Sequence, residues 1–284
     1  MSAVIDVHPH VISTDVARYP REPLGGAQSD WSRERPVSAE AMIAAMDQAG
    51  VARSALVQAA TCYGYDNSCL ADAVARFPAR FAGVFSVDVF QPDAPERIAY
   101  WMGRGLMGLR VFIAGHTMAS KDARLDDPRS FPAWDLAGEQ GIPVCVQLRA
   151  AGLPQLEAVL ARFPRVRILL DHMARPEVED GPPYAAAASL FALARHPNLF
   201  LKLTTHNVRE SRRGKATPES FFARVVAEFG ASRIAWGSNY PASEGTLAGL
   251  LGEARAALAS LAEQDRDWIF SRTARSFYPA LADR

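Results

Sequence analysis

Short apolar segments alternate with longer amphipathic segments along almost the whole chain. The apolar segments have the length and residue content of strands, and the amphipathic segments have the period of helices. The strand-like segments cover residues 4–7, 53–58, 81–87, 107–111, 142–148, 166–172, 199–204 and 233–238. The helix-like segments cover residues 38–50, 67–77, 95–103, 131–140, 153–163, 184–195, 218–229 and a tail from 246. The pattern predicts consecutive βα units.

Eight such units in a chain of this length are typical of a closed barrel. The 284 residues fit one α/β domain, a (β/α)8 TIM barrel over residues 1–284. Residues 268–278 are predicted to form one or two terminal helices that close the barrel. An open doubly wound sheet is the alternative, but no GxGxxG motif follows a strand-like segment to suggest a dinucleotide site. Gly50 and Gly141 fit helix C-caps instead.

A long polar segment interrupts the repeat directly after the first strand. Residues 13–36 are rich in Arg, Pro and Gly, and a loop of this length in a compact domain is usually functional or disordered. Because it follows the first strand, we predict that this loop forms a lid or a wall of the active site. Ser38 then fits the N-cap of the next helix.

The composition excludes several classes of partner. The 31 basic and 31 acidic residues give no net charge, so no overall attraction to nucleic acid or an anionic membrane is expected. No apolar run approaches a membrane span, and the N-terminus lacks a secretory signal pattern. Cys62, Cys69 and Cys145 are odd in number and lack metal-type spacing, which favours reduced thiols and a cytoplasmic protein. The predicted partner is a small molecule, and a homo-oligomer is compatible with this composition.

Polar side chains crowd the position at which each predicted strand ends. In a parallel barrel these exits meet at the face where active sites lie. In strand order they are His8 and His10; Gln58 and Tyr63; Asp88; Arg110; Gln147 and Arg149; His172; Lys202, Thr204, Thr205 and His206; and Ser238, Asn239 and Tyr240. Because the strand interiors are apolar, this pattern predicts an enzyme active site.

The first exit carries two histidines with strand spacing. Alternate side chains of a strand point to the same face, so His8 and His10 are expected to enter one site. Pro9 between them suits a residue just past the paired part of a strand. The alternative for this short motif is that one histidine caps a turn and the other is solvated.

The other candidates also have structural alternatives. His172 is either a site residue or a core histidine bonded to backbone. Arg110 and Arg149 suit a substrate carboxylate, because the guanidinium binds carboxylates through two parallel hydrogen bonds. The alternative for these arginines is pairing with Asp88 or Asp171.

Four further exit residues are open to either interpretation. Tyr63 and Tyr240 are hydroxyl donors or rim packing residues. Lys202 either lines the pocket or extends into the helix layer with its stem buried. His206 lies beside a basic segment, residues 209–215, that is typical of a solvated surface.

At these exits the chain resembles the amidohydrolase superfamily, in particular its amidohydrolase-related branch of lactonases and decarboxylases. The resemblance covers essentially the whole chain and is carried by Asp6-Val7-His8-Pro9-His10, Leu170-Asp171-His172 with Arg175-Pro176, and Trp236-Gly237-Ser238-Asn239-Tyr240-Pro241. It implies that the HxH pair binds a divalent metal or positions substrate, and that the strand-six histidine orients substrate or water. It also implies a strand-eight aspartate that binds the metal and acts as general base.

Two positions depart from the family pattern. Asn239 stands in place of the strand-eight aspartate, and Gln147 stands where metal-dependent branches often have histidine or modified lysine. A carboxamide carries no basic charge and is a poor ligand beside imidazole or carboxylate, so a binuclear centre is not expected. A single Zn²⁺ or Mn²⁺ on His8, His10 and His172 stays as an alternative, since three imidazoles suffice for catalytic zinc.

Residues and resemblance together predict a hydrolase of a small carboxylated lactone or related cyclic ester. His8, His10 and His172 would polarise the carbonyl and stabilise the oxyanion. Asn239 is the remaining catalytic candidate, but its amide cannot act as a base. A histidine would therefore have to activate the attacking water, or the water would attack as a metal-bound hydroxide. The predicted substrate-binding residues are Arg110, Gln147, Arg149, Tyr63 and Tyr240.

Two other functions are compatible with the same residues. The amides at positions 147 and 239 favour a barrel that has lost hydrolysis and serves as a ligand-binding protein or a partner subunit. Non-oxidative decarboxylation is third, because in this family it generally depends on the same metal and aspartate.

Overall fold

The computed structural model describes residues 2–113 and 123–282. Its strands are β1 (Val4–Asp6), β2 (Val51–Val57), β3 (Phe81–Ser86), β4 (Gly108–Phe112), β5 (Val144–Gln147), β6 (Ile168–Leu170), β7 (Leu199–Thr204) and β8 (Ile234–Gly237). They pair in parallel in sequence order. The backbone N–H of Val7 donates to Trp236 O at 3.1 Å and joins β1 to β8. The predicted TIM barrel is confirmed.

Helices connect the strands. They are α1 (Asp30–Glu34), α2 (Ala39–Ala49), α3 (Ala60–Tyr63), α4 (Ser68–Arg76), α5 (Ala94–Gly103), α6 (Phe131–Gln140), α7 (Leu153–Arg162), α8 (Ala188–Ala192), α9 (Thr205–Glu210), α10 (Pro218–Phe229), α11 (Leu247–Ala257), α12 (Glu263–Asp267) and α13 (Thr273–Phe277), with a π-helical turn at Trp268–Arg272. Single 3₁₀ turns lie at Leu24–Gly26, Pro128–Ser130, Ala150–Gly152, Asp171–Ala174, Ala185–Ala187, Leu193–Arg195, Ala231–Arg233 and Pro279–Leu281. In the described part of the chain, none of these helices could cross a membrane.

The predicted boundaries hold where local signals are strong. The Ser38 side chain accepts a hydrogen bond from Ala41 N at 3.2 Å, and Gly50 ends α2 with a φ of 72°. Such caps satisfy backbone groups that the helix leaves unpaired. The sequence pattern did not predict α1, inside the loop after β1, α3, shortly after β2, or α9, directly after β7. The predicted helix 184–195 is divided into the short helix α8 and a 3₁₀ turn on each side of it, and nothing in the structure explains the division.

The core has two layers. Inward side chains of the strands, among them Ile5, Val57 and Leu169, pack with Phe277 and Tyr278. The larger layer lies between strands and helices. Burial of apolar surface in both layers is the main favourable term for folding. The terminal helical segment thus packs against the inner side chains of the barrel, as predicted. The polar residues lie at the opposite end of the barrel, where the strands end.

Candidate active site

A cavity of about 290 Å³ lies at the carboxyl ends of the strands. Its lining residues are His8, His10, Ser29, Trp31, Ala59, Ala60, Thr61, Arg110, Phe112, Gln147, Arg149, His172, Arg175, His206, Asn239 and Ala242. Seven of the nine sequence-predicted site residues are among them. Ser29 and Trp31 come from the loop after β1, so this loop forms a wall of the cavity.

The structure does not bring the two predicted tyrosines into this lining. The Tyr63 hydroxyl accepts hydrogen bonds from Ser13 N at 2.9 Å and Arg21 Nη1 at 2.8 Å. It therefore anchors the loop after β1. The Tyr240 carbonyl accepts a hydrogen bond from His10 N at 2.9 Å, so its backbone positions the first strand exit.

Three predicted histidines converge in the cavity. The His8 ring centroid lies 5.0 Å from that of His10 and 4.8 Å from that of His172. His206, at the start of α9, lies 5.1 Å from His172. The Trp31 ring packs on His10 with centroids 5.2 Å apart. The spacing of two in the HxH motif therefore does place both imidazoles in one site.

The end of β1 is fixed to the end of β8 by one buried carboxylate. Asp6 Oδ1 accepts hydrogen bonds from His8 N and Ser238 N, both at 2.9 Å. Burial raises the pKa of Asp6, and the bonds from Ser238 and His8 oppose this rise. Asp6 thus supports the site from below its histidines.

Gly237 allows the close approach of β8 to His8. A Cβ built at Gly237 would lie 2.6 Å from His8 Cβ, which is closer than such atoms come. Any side chain at position 237 therefore requires His8 to shift. The sequence signal for this role is the glycine in the strand-eight motif.

Replacing Gly237 with alanine is expected to lower kcat/KM roughly tenfold or more while the protein stays folded, because displacements of about 1 Å can cost about 10²-fold in rate. The measurement is steady-state kinetics together with circular dichroism. Gly252→Ala is the matched control, since a Cβ at Gly252 in α11 meets nothing within 4 Å. Equal activity of both variants would contradict the packing role.

Left-handed backbone follows strands β6 and β8. His172, Met173, Ala174 and Arg175 have φ between 53° and 59°, and Asn239 has a φ of 58°. Non-glycine residues rarely adopt this region, and those that do often lie at functional sites. The left-handed run explains why β6 ends at Leu170, earlier than the predicted 172.

Asn207 in α9 supports this run from the side. Its Nδ2 donates to His172 O at 2.8 Å, and its Oδ1 accepts from Thr204 N at 3.0 Å. Together with the Thr204 side chain it forms the capping box of α9. The helix that the sequence missed therefore holds the His172 backbone in place, and the polar residues at 204 and 207 were its sequence signal.

A buried ion cluster lies beneath the histidines. Asp171 Oδ2 accepts from Arg110 Nη2 at 3.1 Å, and Asp171 Oδ1 lies 2.8 Å from Lys202 Nζ. Lys202 Nζ also lies 2.9 Å from His8 Nδ1 and 2.7 Å from Cys145 Sγ. Burial would raise the pKa of Asp171, but the charge of Lys202, together with that of Arg110, holds it well below its usual value. Lys202 thus points into the barrel and not into the helix layer.

Arg110 is occupied by protein acceptors. Besides Asp171, it donates to Gln58 O at 3.2 Å and to Gln147 Oε1. Only 4% of its side chain is exposed. The structural alternative considered for Arg110, pairing with Asp171, is therefore what the structure shows, although the residue still lines the cavity.

Arg149 and Arg175 form the cationic side of the cavity. Burial lowers the pKa of Arg175, and the charge of Arg149 lowers it further. Repulsion between two guanidinium groups is relieved by an anion between them. Arg175 and His206 were not among the predicted site residues, although Arg175 belongs to the motif after His172.

The site histidines are neutral. Burial lowers the pKa of His10 to about 3, with a further effect from Arg110. Burial also lowers the pKa of His8 and His172 well below the usual value, and that of His206 to about 4. At neutral pH these rings are therefore uncharged before the reaction begins, and they bind through hydrogen bonds and lone pairs.

Acidification from pH 7 to pH 5 is expected to destabilise the fold. The folded histidines stay neutral in this range, whereas the unfolded chain takes up protons near pH 6.5. Stability is therefore complete above pH 6.5 and falls below it, by up to about 1.4 kcal/mol per pH unit for each such histidine. Urea unfolding at pH 7.5, 6.0 and 5.0 measures this, and equal free energies of unfolding would contradict it.

The three histidines fit a metal ion poorly. The Lys202 ammonium group lies 2.9 Å from His8 Nδ1, and a cation beside this ring opposes a second cation on it. Asn239 has an amide where the family pattern has a carboxylate, and this amide donates to Ser243 Oγ at 3.0 Å. Among the described residues, no three His, Cys, Asp or Glu side chains are arranged to hold a metal ion. The geometry therefore does not support the metal tripod that the sequence allowed.

Comparison with known proteins places the chain in a family. The sequence profile of the amidohydrolase family matches residues 5–280. The chain belongs to the amidohydrolase family.

L-fucono-1,5-lactonase of Burkholderia ambifaria is 30% identical to this amidohydrolase over 264 residues, 91% of this chain and 87% of the relative. The 2-pyrone-4,6-dicarboxylate hydrolase of Comamonas testosteroni is 27% identical over 217 residues, 70% of this chain and 66% of the relative. Both relatives are hydrolases, so the prediction of an enzyme of this family is confirmed.

Solved structures share the fold of this amidohydrolase. An amidohydrolase from Burkholderia multivorans with bound zinc has a TM-score of 0.78 at 22% identity, over 98% of this chain and 99% of that chain. At this identity the likeness extends to the fold and not to the ligand.

Proposed function

We propose that this amidohydrolase hydrolyses a small lactone that carries a carboxylate. The observation that carries the proposal is the convergence of His8, His10 and His172 in one cavity, with Arg149 and Arg175 on its cationic side. Neutral imidazoles suit the polarisation of an ester carbonyl, and guanidinium groups suit a carboxylate. The fuconolactonase and pyrone-dicarboxylate hydrolase among its relatives support cyclic esters as the substrate class.

The substrate would bind with its reacting end at the histidines. Between them, the imidazoles polarise the carbonyl and hold the attacking water, and Asn239 orients this water through its amide. Arg149, with Arg175, binds the carboxylate. Arg110 gives its hydrogen bonds to Asp171, Gln147 and Gln58, so we assign it to support of the site.

We infer that protein groups alone carry the reaction. The cation beside His8 and the amide at Asn239 are the observations that support this. A chelator is then expected to leave kcat unchanged, and added Zn²⁺ or Mn²⁺ is expected not to raise it.

The test is a panel of lactones with and without carboxylates, incubated with the purified protein with chelator, with Zn²⁺ and with Mn²⁺. Product hydroxy acids are followed by NMR. We expect turnover of carboxylated lactones in every arm, with the uncharged lactones slower. No turnover of any lactone in any arm would reject the proposal, and turnover only with added metal would reject metal independence.

The second candidate is a ligand-binding barrel without hydrolysis, favoured by the amide at Asn239. We expect Asn239→Asp to lower an existing lactonase activity at least about tenfold, because a carboxylate here would raise the pKa of the neutral histidines and oppose an oxyanion. The measurement is kcat/KM of both proteins on the panel. Activity in Asn239→Asp that the parent lacks would favour the ligand-binding barrel instead.

Decarboxylation, a cytoplasmic location and a homo-oligomeric state stay predictions. Free Cys62, Cys69 and Cys145 are compatible with a reducing compartment.

A further inference from the structure

His8 differs from His10 and His172 in the partner of its Nδ1 atom. His10 Nδ1 lies 2.8 Å from Val57 O, and His172 Nδ1 lies 2.8 Å from Thr204 Oγ1. His8 Nδ1 lies 2.9 Å from Lys202 Nζ. A backbone carbonyl only accepts hydrogen bonds and an ammonium group only donates them. The partners therefore favour opposite tautomers.

His10 and His172 carry their proton on Nδ1. Val57 O requires a donor, so His10 Nδ1 is protonated and Nε2 has the lone pair. For His172, the Thr204 hydroxyl lies 3.3 Å from Asn207 Oδ1, which also accepts from Thr204 N. The hydroxyl proton goes to Asn207, and Thr204 Oγ1 then accepts from His172 Nδ1. Both rings are left with a lone pair on Nε2.

Lys202 imposes the reverse arrangement on His8. Its three ammonium protons have three buried acceptors: Asp171 Oδ1 at 2.8 Å, His8 Nδ1 at 2.9 Å and Cys145 Sγ at 2.7 Å. Burial raises the pKa of Cys145 to about 12, so this group stays a thiol and donates to Asp171 at 2.9 Å. Asp171 Oδ1 lies 3.6 Å from His8 Nδ1, beyond hydrogen-bond distance, whereas Lys202 Nζ lies 2.9 Å away. His8 Nδ1 therefore accepts from Lys202, and the ring proton lies on Nε2.

His8 Nε2 lacks a protein partner. It is buried and makes no hydrogen bond within the described part of the chain, while His8 lines the cavity. A buried N–H group without an acceptor is costly and is rare in folded proteins. An oxygen atom of a bound ligand would satisfy it.

We propose that Lys202 is a positioning residue, which fixes His8 as the Nε2–H tautomer so that His8 donates to the carbonyl oxygen of the substrate. His10 and His172 then offer their Nε2 lone pairs to the attacking water. This inference rests on the proposed lactone hydrolysis and adds to it a division of roles among the three histidines.

The chemistry balances without another reactant. Water adds to the lactone carbonyl carbon and gives a proton to a lone-pair imidazole, while the carbonyl oxygen becomes an oxyanion that accepts from His8 Nε2–H. Collapse of this intermediate breaks the bond to the ring oxygen, which takes the proton back from the imidazolium. The sum is lactone plus water giving hydroxy acid.

The first test measures the tautomer in the wild-type protein. Two-bond ¹H–¹⁵N NMR of histidine-labelled protein at pH 7.5 distinguishes protonated from unprotonated ring nitrogens, and the His8 signals are assigned by their loss in His8→Gln. We expect a protonated Nε2 for His8 and a protonated Nδ1 for His10 and His172. A protonated Nδ1 on His8 would overturn the proposal whatever the activity of the protein.

The second test uses Lys202→Met. The matched control is Lys215→Met, because Lys215 is exposed. We expect mixed His8 tautomers and a fall in kcat of roughly 10²-fold with little change in KM, since a wrong histidine tautomer costs about 10⁴-fold in a serine protease. Lys202→Arg, which keeps a donor, should retain the wild-type tautomer. An unchanged tautomer or an unchanged kcat in folded Lys202→Met would overturn the proposal.

The two tests separate this inference from the proposed function. If Lys202→Met does not fold, the wild-type spectrum and Lys202→Arg carry the test. The protein could show the expected His8 tautomer and yet turn over no lactone. This result would support the control of the His8 ring by Lys202, but it would reject both lactone hydrolysis and a role of the His8 tautomer in catalysis.

Discussion

Replacing His8 with alanine is expected to lower kcat/KM for the best carboxylated lactone by roughly 10²–10³-fold, the cost of losing one oxyanion donor. His8 is the ring between the other two predicted histidines, so its loss leaves no donor at the centre of the group. The loss should appear in kcat more than in KM, because the oxyanion forms only in the transition state. Steady-state kinetics of wild type and variant measure this.

His196→Ala is the matched control for this prediction. His196 is half-buried and precedes β7, at the opposite end of the barrel from the strand exits. Its replacement should leave kcat/KM within about threefold of wild type, as expected for a residue that does not contact the substrate. Equal losses in the two variants would indicate general destabilisation and contradict the assigned role of His8.

Replacing Asp171 with asparagine is expected to destabilise the protein by roughly 3–5 kcal/mol, as measured when one partner of a buried ion pair is removed. Asp171 is the carboxylate between Lys202 and Arg110, and its side chain is fully buried. Without it, two buried cations lose their counterion. Urea unfolding at pH 7.5 measures the change in the free energy of unfolding.

The control is a surface pair. Asp47 lies 2.7 Å from Arg80 with 60% of its side chain exposed, and Asp47→Asn should change stability by less than about 1 kcal/mol. The same small change for Asp171→Asn would show that the buried cluster is dispensable for folding.

Periodicity made the fold and the position of the site predictable. Consecutive βα units gave the barrel, and the spacing of two between His8 and His10 placed both rings in one cavity. The alternation of β7 left two directions open for the Lys202 side chain, the pocket and the helix layer, and the buried leucines beside it decide between them. Residues 199, 201 and 203 of β7 are leucines packed in the outer layer, and this alternation directs Lys202 inward.

The remaining site residues depend on tertiary contacts. The partner of Arg110 is Asp171, 61 positions away, and no local pattern selects it over Asp88. Trp31 reaches His10 from a loop whose path is set by contacts such as those to Tyr63. The short helix α9 places His206 beside His172. The basic residues that follow His206 in the sequence indicated a solvated surface, so His206 was not predicted as a site residue.

The most direct measurement of the central claim is a crystal structure with the lactam analogue of the best lactone from the panel. The account predicts the ring carbonyl oxygen within hydrogen-bond distance of His8 Nε2 and the analogue's carboxylate on Arg149 or Arg175. An analogue bound in this cavity with its carbonyl directed away from His8, His10 and His172, or bound elsewhere on the protein, would contradict the account.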